Sequence, residues 1–382
     1  MIPKLESFLN NKPLYYKHID YKRIKIAFDT IEKNLKLPKI IHIVGTNGKG
    51  STGRMVAHLL LKSGFNTAHY TSPHILKFNE RFWLNGNDCD NDILEIAHNK
   101  LYSILNNELR DKLSYFEYTT LLALFAFEEC DYIVLEAGLG GENDATNVVP
   151  KVLSIVTPID FDHQVFLGSS IEDIATTKIN SIDKIAIVSI QPHLEVIDVA
   201  KKIAKEKNTK LVFVAPDYQK EEIAQIAKQN SWADFLCDNA KSACTALDIL
   251  GIKYNINDLN SWQMMGRYFA YASNIRLDVG HNVLAAQALF KMIENDTILI
   301  YNTYEDKSYR EILKILKPKI KKLLIIKIDS PRALSLEKLE TVLKEFKIDY
   351  DFFNKTIHDN EKYLVFGSFS VVESFLKAME FE

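Results

Sequence analysis

Residues 45–52 read GTNGKGST, placing three glycines, one lysine and three hydroxyl side chains between the β-branched run IIHIV and the helical pattern STGRMVAHLLLKSG (51–64). A glycine-rich turn that feeds a helix start gathers backbone N–H groups at the positive end of the helix dipole, which suits an anion. Glycine lets the backbone approach phosphate oxygens closely. Lys49 adds a mobile positive charge for terminal phosphates, and Ser51 or Thr52 offers a hydroxyl to phosphate or Mg²⁺. The spacing departs from GxxxxGK[ST], because Gly50 separates Lys49 from Ser51. The competing reading is a glycine-rich turn with an incidental lysine.

Four more stretches carry groups able to act beside such a loop. In IVLEAGLGG, Glu136 closes an apolar run and is followed by Gly138, Gly140 and Gly141. A carboxylate at the C-terminal end of a parallel strand stands where open α/β sheets bind ligands, and it can hold Mg²⁺ directly or through water. In TPIDFDHQ, His163 follows Asp160 and Asp162; it reads as a metal ligand, as a partner for phosphate, or as polar surface. Ser170 and Asp173 stand at capping-box spacing and open a helix. Lys178 falls about two turns into that helix, and periodicity alone makes it an exposed lysine. TSPHILKFNERFWLNG (71–86) contains Ser72, Pro73, His74, Glu80 and Arg81, and reads otherwise as a polar loop entering an edge hairpin. RLDVGHN (276–282) ends a strand on Asp278, with His281 beyond; ribose or metal binding competes there with helix capping.

The elements that must position these groups alternate short β-branched runs with helices, the pattern of a parallel sheet covered by helices. KIIHIVG, NTAHYTS, DYIVLEAG, KVLSIVTPI, IAIVSI and KLVFVAP read as strands of one sheet, and YFEYTTLLALFAFEEC (115–130) as a buried helix. From about residue 270 the alternation restarts with NIRLDVG, TILIYNT, KLLIIKI and KYLVFGS, each followed by a helical pattern. The expected organisation is α/β: a P-loop-type, mostly parallel sheet in residues 1–268, and a smaller Rossmann-like α/β domain in 269–382. A cleft between two such domains is a common place for a ligand.

Composition narrows the classes further. A formal net charge of −3 gives no global basic field for nucleic acid or an anionic membrane. Four cysteines without CxxC spacing argue against a zinc site and for a reducing compartment. The opening MIPKLESFLNNKPLYY has neither the apolar core nor the cleavage signal of a secretory leader, and no run approaches the length of a membrane span. A cytoplasmic monomer acting on small molecules is expected.

GTNGKGST, SPHILKFNERFWLNG, FEYTTLLALFAF, VLEAGLGGENDATNVV, DFDHQVFLGSSIEDIATTK, LDVGHN and FGSF occur in that order. Together they resemble the folylpolyglutamate synthase/dihydrofolate synthase family of the Mur ligase superfamily, densely from residue 40 to 182 and thinly between about 185 and 260. The resemblance implies an ATP-dependent ligase that phosphorylates dihydropteroate or the terminal glutamyl carboxylate of a reduced folate. The amine of L-glutamate then displaces phosphate from the acyl phosphate.

Residue by residue, the resemblance assigns Thr46, Asn47, Gly48, Lys49, Gly50 and Ser51 to the ATP loop. It assigns Ser72, Glu136 and His163 to magnesium, and Lys178 to a lysine that is carbamylated in relatives, where it would serve a second Mg²⁺. Lys49, Lys178 and His163 are thereby its catalytic residues. Asn239, Arg267 and Asp278 match nucleotide contacts. Phe116, Glu117, Tyr118 and Thr119, with Asp144, Ala145 and Thr146, match pterin and folate contacts.

Three departures stand out: Glu142 and Asn143 replace an Arg-Leu pair, TKINSI replaces EKAGI around Lys178, and MGRY replaces PGRF. Two further readings are a ligase of UDP-muramoyl peptides and a nucleotide-binding homologue without catalysis. FEYT, and the short stretch before residue 40, weigh against the first. Glu142 in place of arginine is what keeps the second open.

Overall fold

The structure is a computed structural model that describes residues 2–13 and 22–379; Leu14, Tyr15 and Tyr16 of the N-terminal segment discussed above lie outside the described residues. Its chain divides into two compact units, one of Met1–Ile226 with Leu236–Trp262, the other of Ala227–Phe235 with Gln263–Glu382.

The first unit is built on a sheet of β1 (Lys39–Val44), β2 (Thr67–Tyr70), β3 (Phe82–Leu84), β4 (Asn87–Asp88), β5 (Tyr132–Glu136), β6 (Leu153–Val156), β7 (Ile185–Val188) and β8 (Lys210–Phe213). The order is β4-β3-β2-β5-β1-β6-β7-β8. The central pairs are parallel, while β3 and β4 form an antiparallel edge hairpin on β2. Every residue of β5 is buried, as a strand covered by helices requires.

Helix Tyr115–Ala126 supplies much of one core. Ser114 Oγ accepts the Glu117 N–H at 3.1 Å, and Glu117 returns a carboxylate oxygen to the Ser114 N–H at 2.7 Å. This reciprocal cap starts the helix. Leu121, Leu122, Leu124 and Phe125 are then buried, each contributing on the order of 1.5–3 kcal/mol. The helix stops at Ala126, four residues short of the apolar run that suggested it. The chain turns there ahead of β5, which starts at Tyr132; just before it the Asp131 N–H reaches Asn66 O at 2.8 Å.

The second unit holds β9 (Phe269–Ala272), β10 (Ile275–Asp278), β11 (Thr297–Tyr301), β12 (Ile320–Ile325), β13 (Tyr350–Phe352) and β14 (Tyr363–Phe366), in the order β13-β12-β11-β14-β10-β9. The four expected strand–helix alternations are all present. Two short edge strands add to them: β9, antiparallel to β10, and β13. The core packs Leu289, Leu299, Leu313, Leu323, Val342 and Leu364.

Candidate active site

The order β2-β5-β1-β6 brings four strand ends into line. Register pairs Ile43 with Glu136 across β1 and β5, and Tyr70 with Leu135 across β2 and β5. Thr71, Glu136, the 45–52 loop and Thr157 therefore leave the sheet side by side.

The loop enters its helix earlier than the sequence pattern suggests. Helix Lys49–Lys62 starts at Lys49 rather than Ser51, from Gly48 at φ +83°. The first-turn N–H groups then include those of Lys49, Gly50 and Ser51, which have no partner within the helix. Two glycines are required by close approach. A Cβ on Gly48 would stand 2.7 Å from Asn239 Oδ1, and one on Gly45 would stand 2.0 Å from Thr157 Oγ1. Asn239 thus lies directly against the loop, from helix Asp234–Ile249.

Beyond Gly45, the N–H groups of Thr46 and Asn47 both donate to Pro158 O, at 2.9 and 3.1 Å. Thr46 Oγ1 donates to Asp160 O at 3.0 Å. Among the described residues, Ser51 Oγ, Thr52 Oγ1 and Asn239 Nδ2 are buried without a hydrogen-bond partner. Buried polar atoms at a helix start are seldom left so, and their grouping here suits a bound polar ligand.

Lys178 corrects the periodicity reading. It is 3% exposed, and its amine donates to Gly45 O at 2.8 Å. The helix Ile171–Ile179 is covered by the glycine loop, since a Cβ on Gly141 would stand 2.3 Å from Lys178 O. Burial, and next the charge of Lys49, lower the Lys178 pKa to about 7; Asp162 and Asp144 act in the opposite sense. The Lys49 amine donates to Gly45 O and Thr46 O, both at 3.1 Å.

Glu136 is 4% exposed and accepts the hydroxyl of Thr71, which sequence reasoning passed over in favour of its half-buried neighbour Ser72. The sequence places Thr71 at the end of the NTAHYTS strand pattern, and the pairing of β2 with β5 is what brings it to Glu136. His163 has a left-handed backbone (φ 51°), and its Nε2 lies 3.6 Å from Asp162 Oδ2. Asp160 instead accepts from or faces His193 Nε2 at 2.9 Å, a pair 33 residues apart that no local pattern shows.

The residues matched to folate contacts divide into two sets. Phe116 is half-buried, with its ring against the Gly138 backbone, where a Cβ would stand 2.7 Å from Cζ. Glu117, Tyr118 and Thr119 are buried. Glu117 pairs with Arg23 at 2.7 Å, the Tyr118 hydroxyl meets His98 Nδ1 at 2.7 Å, and Thr119 Oγ1 meets the Tyr70 hydroxyl at 2.8 Å. Asp144, Ala145 and Thr146 are also buried. Asp144 Oδ2 takes the N–H groups of Gly138 and Leu139 at 3.0 and 2.9 Å, while Oδ1 takes the Thr146 N–H at 2.9 Å and hydroxyl at 2.5 Å. Burial raises the Asp144 pKa against these bonds.

Two of the departures meet. Glu142 is exposed and accepts from Asn180 Nδ2 at 3.1 Å, so the residue in place of arginine contacts the altered segment after Lys178.

In the second unit Asp278 is 5% exposed and accepts the Tyr268 N–H at 2.9 Å and the Gly280 N–H at 2.7 Å. Burial raises its pKa, opposed by the Gly280 bond and then by the charge of Arg267. Arg267 lies over the Phe369 ring, 5.3 Å from its centroid. Asp278 does not cap the following helix; Asn282 does, accepting from the Ala285 N–H at 3.0 Å.

A parallel sheet whose β1 runs into a phosphate-type loop, with a buried carboxylate on the next strand, defines a nucleotide-binding α/β domain of the Mur ligase kind. Residues 43–271 match the family model described as the Mur ligase middle domain. The chain is 31% identical, over 405 aligned residues, to the dihydrofolate synthase/folylpolyglutamate synthase of Buchnera aphidicola, covering 95% of this chain and 94% of that one. Its structure is similar to the crystal structure of Helicobacter pylori folylpolyglutamate synthetase, with 40% identity, a TM-score of 0.81, and 99% and 98% of the two chains covered. The Yersinia pestis bifunctional folylpolyglutamate synthase/dihydrofolate synthase, solved with AMPPNP and a Mn ion, shares the fold at 22% identity, with a TM-score of 0.83 and 98% and 97% of the two chains covered. The chain belongs to the dihydrofolate synthase/folylpolyglutamate synthase family, whose members are ATP-dependent ligases.

Proposed function

We propose that this protein joins L-glutamate to dihydropteroate, to the glutamyl carboxylate of a reduced folate, or to both, at the expense of ATP. The observation that carries this reading is the helix start at Gly48, where Ser51 Oγ, Thr52 Oγ1 and Asn239 Nδ2 are buried and unpartnered among the described residues. Those atoms, with first-turn N–H groups and the Lys49 amine, suit a triphosphate. In the reaction a substrate carboxylate oxygen attacks the γ-phosphorus and ADP leaves. The amine of glutamate then attacks the acyl carbon, loses a proton, and phosphate departs with one former carboxylate oxygen. Such transfer needs positioning and charge neutralisation more than covalent help from the protein.

The buried Glu136 carboxylate at the end of β5 is an oxygen donor of the kind Mg²⁺ takes. The ion keeps several waters and takes one or two carboxylates together with phosphate oxygens. Glu136, Ser72 and His163 would hold one ion and supply charge neutralisation on the phosphates; the manganese in the Yersinia relative supports divalent metal use. A second ion would be served by Lys178 as its carbamate. With a pKa lowered to about 7, its amine is substantially neutral near pH 7. A neutral amine adds to CO₂, forming an N–C bond and releasing one proton, which puts an anion in place of the neutral amine beside Lys49. Asn239 adds a nucleotide contact beside the loop, and Phe116 with the loop held by Asp144 and Thr146 receives the pterin.

Purified protein with Mg·ATP and L-glutamate tests the reading. Phosphate release that requires glutamate and either dihydropteroate or a reduced folate supports it. Release only with a UDP-muramoyl substrate, or ATP binding without turnover on any acceptor, would overturn it.

A further inference from the structure

His42 lies in β1, three residues before Gly45, and is fully buried. A ring nitrogen in such a strand must find a partner or remain costly. Its Nε2 stands 2.8 Å from Thr146 Oγ1, which stands 2.5 Å from Asp144 Oδ1.

Proton counting orders this chain. Three backbone N–H groups, from Gly138, Leu139 and Thr146, hold the Asp144 carboxyl as an acceptor. The single hydroxyl proton of Thr146 therefore goes to Asp144, and the Thr146 oxygen must accept from His42 Nε2–H. That fixes the tautomer, with Nδ1 bare; among the described residues Nδ1 is buried and has no hydrogen-bond partner. Burial, and then Lys151, hold the ring neutral by pushing its pKa well below 6.5.

The loop held by Asp144 is the one that follows Glu136. Gly138 lies under the Phe116 ring, and Gly141 packs on the Lys178 carbonyl. A single hydrogen-bonded chain thus ties the strand that launches the phosphate loop to the loop that touches Phe116 and Lys178.

Resting on the ligase function proposed above, we propose that His42 is a positioning residue for the reaction: its Nε2–H orients the Thr146 hydroxyl onto Asp144 and so fixes the Gly138–Gly141 loop against the pterin-bearing substrate. Loss of such an outer partner costs roughly 10- to 100-fold where the analogous measurement exists for ligand-orienting residues. The effect falls on the carboxylate substrate, because the phosphate loop keeps its own bonds to Pro158 and Asp160.

Four variants test it: His42→Leu, His42→Gln, Thr146→Val and the His42→Leu/Thr146→Val double. His42→Leu should lower kcat/KM for the pteroate or folate substrate by about 10- to 100-fold while KM for ATP stays within about threefold. His42→Gln, which keeps an N–H near the place of Nε2, should recover most of that loss. The double variant should be no worse than the poorer single one, since both break one chain. Multiplicative losses, a glutamine variant as poor as leucine, or an equal rise in KM for ATP would overturn the assignment. If His42→Leu fails to fold, Thr146→Ser against Thr146→Val carries the same test: serine should behave like threonine, and a harmless valine would overturn the proposal. If the unmodified protein shows no ligase activity, the functional reading fails on its own. The His42 tautomer, read by ¹⁵N NMR, tests the hydrogen-bonded chain apart from that reading: Nε2–H supports the orientation of the Thr146 hydroxyl, and Nδ1–H overturns the proposal.

Discussion

Lys49 and Lys178 bring their amines to one oxygen: Gly45 O accepts from the first at 3.1 Å and from the second at 2.8 Å. One of these lysines sits in the first turn of helix Lys49–Lys62, and the other is buried 129 positions later in a helix capped by Ser170 and Asp173. Two ammonium groups on a single acceptor repel each other, and burial falls on Lys178. The arrangement favours losing the charge of Lys178, or reversing it.

Stability should report this directly. With a pKa of about 7 folded and an ordinary value of 10.5 unfolded, the unfolded chain holds the Lys178 proton more tightly between those limits. The cost of burial is therefore fully present below about pH 7 and is relieved as pH rises toward 10.5. In CO₂-free buffer, Lys178→Met should be more stable than the unmodified protein at pH 6.5 by an amount on the order of a few kcal/mol, and the gap should narrow by pH 9.5. A gap that widens with pH would contradict the buried-cation account.

Carbamylation gives a second outcome at the same residue. Lys178→Ala should lose at least about a hundredfold in turnover, as expected when a charge-stabilising group is removed. Added formate or acetate should partly restore it by supplying a carboxylate in the space left. Wild-type turnover in Lys178→Ala would remove Lys178 from the mechanism.

The loop allows no Cβ at Gly48. Alanine there would meet Asn239 Oδ1 at 2.7 Å and would adopt a left-handed backbone (φ +83°). Gly48→Ala should raise KM for ATP at least about tenfold, a strain of about 1–3 kcal/mol appearing at the site. Unchanged ATP kinetics would mean that the loop does not hold the nucleotide.

Glu117 separates folding from binding. Its buried pair with Arg23 and its bond to the Ser114 N–H tie the first turn of helix Tyr115–Ala126 to helix Arg23–Ile31. Arg23→Met should destabilise the protein by about 3–5 kcal/mol, because the carboxylate is left buried without its partner. Denaturant unfolding measures this; a loss under 1 kcal/mol would show the pair to be unimportant.

Much of this was legible in the sequence, and the reasons are local. The alternation of β-branched runs and helical patterns marked the central strands, because each is a continuous apolar segment covered by helices. GTNGKGST marked the glycine turn that enters helix Lys49–Lys62, since glycine, lysine and hydroxyl spacing are properties of a single turn. Ser170 and Asp173 announced their helix start in the same way. What escaped depends on residues far apart in sequence. Periodicity exposes Lys178, yet the glycine loop from another strand covers it. Thr71 meets Glu136 only because β2 and β5 are neighbours in the sheet. Arg23, His42 and His193 take their partners from segments 94, 104 and 33 positions away. The Glu142–Asn180 contact likewise makes two separate sequence departures one local substitution.

The most direct test of the account follows oxygen from the substrate carboxylate. Dihydropteroate, or a reduced folate, labelled with ¹⁸O in the reacting carboxylate is turned over with Mg·ATP and L-glutamate, and the released phosphate is examined by mass spectrometry. Each phosphate formed should carry one ¹⁸O, the oxygen that left with it when glutamate attacked the acyl carbon. Unlabelled phosphate, with both ¹⁸O atoms still on unreacted carboxylate, would show ATP hydrolysis by water and contradict the ligase mechanism.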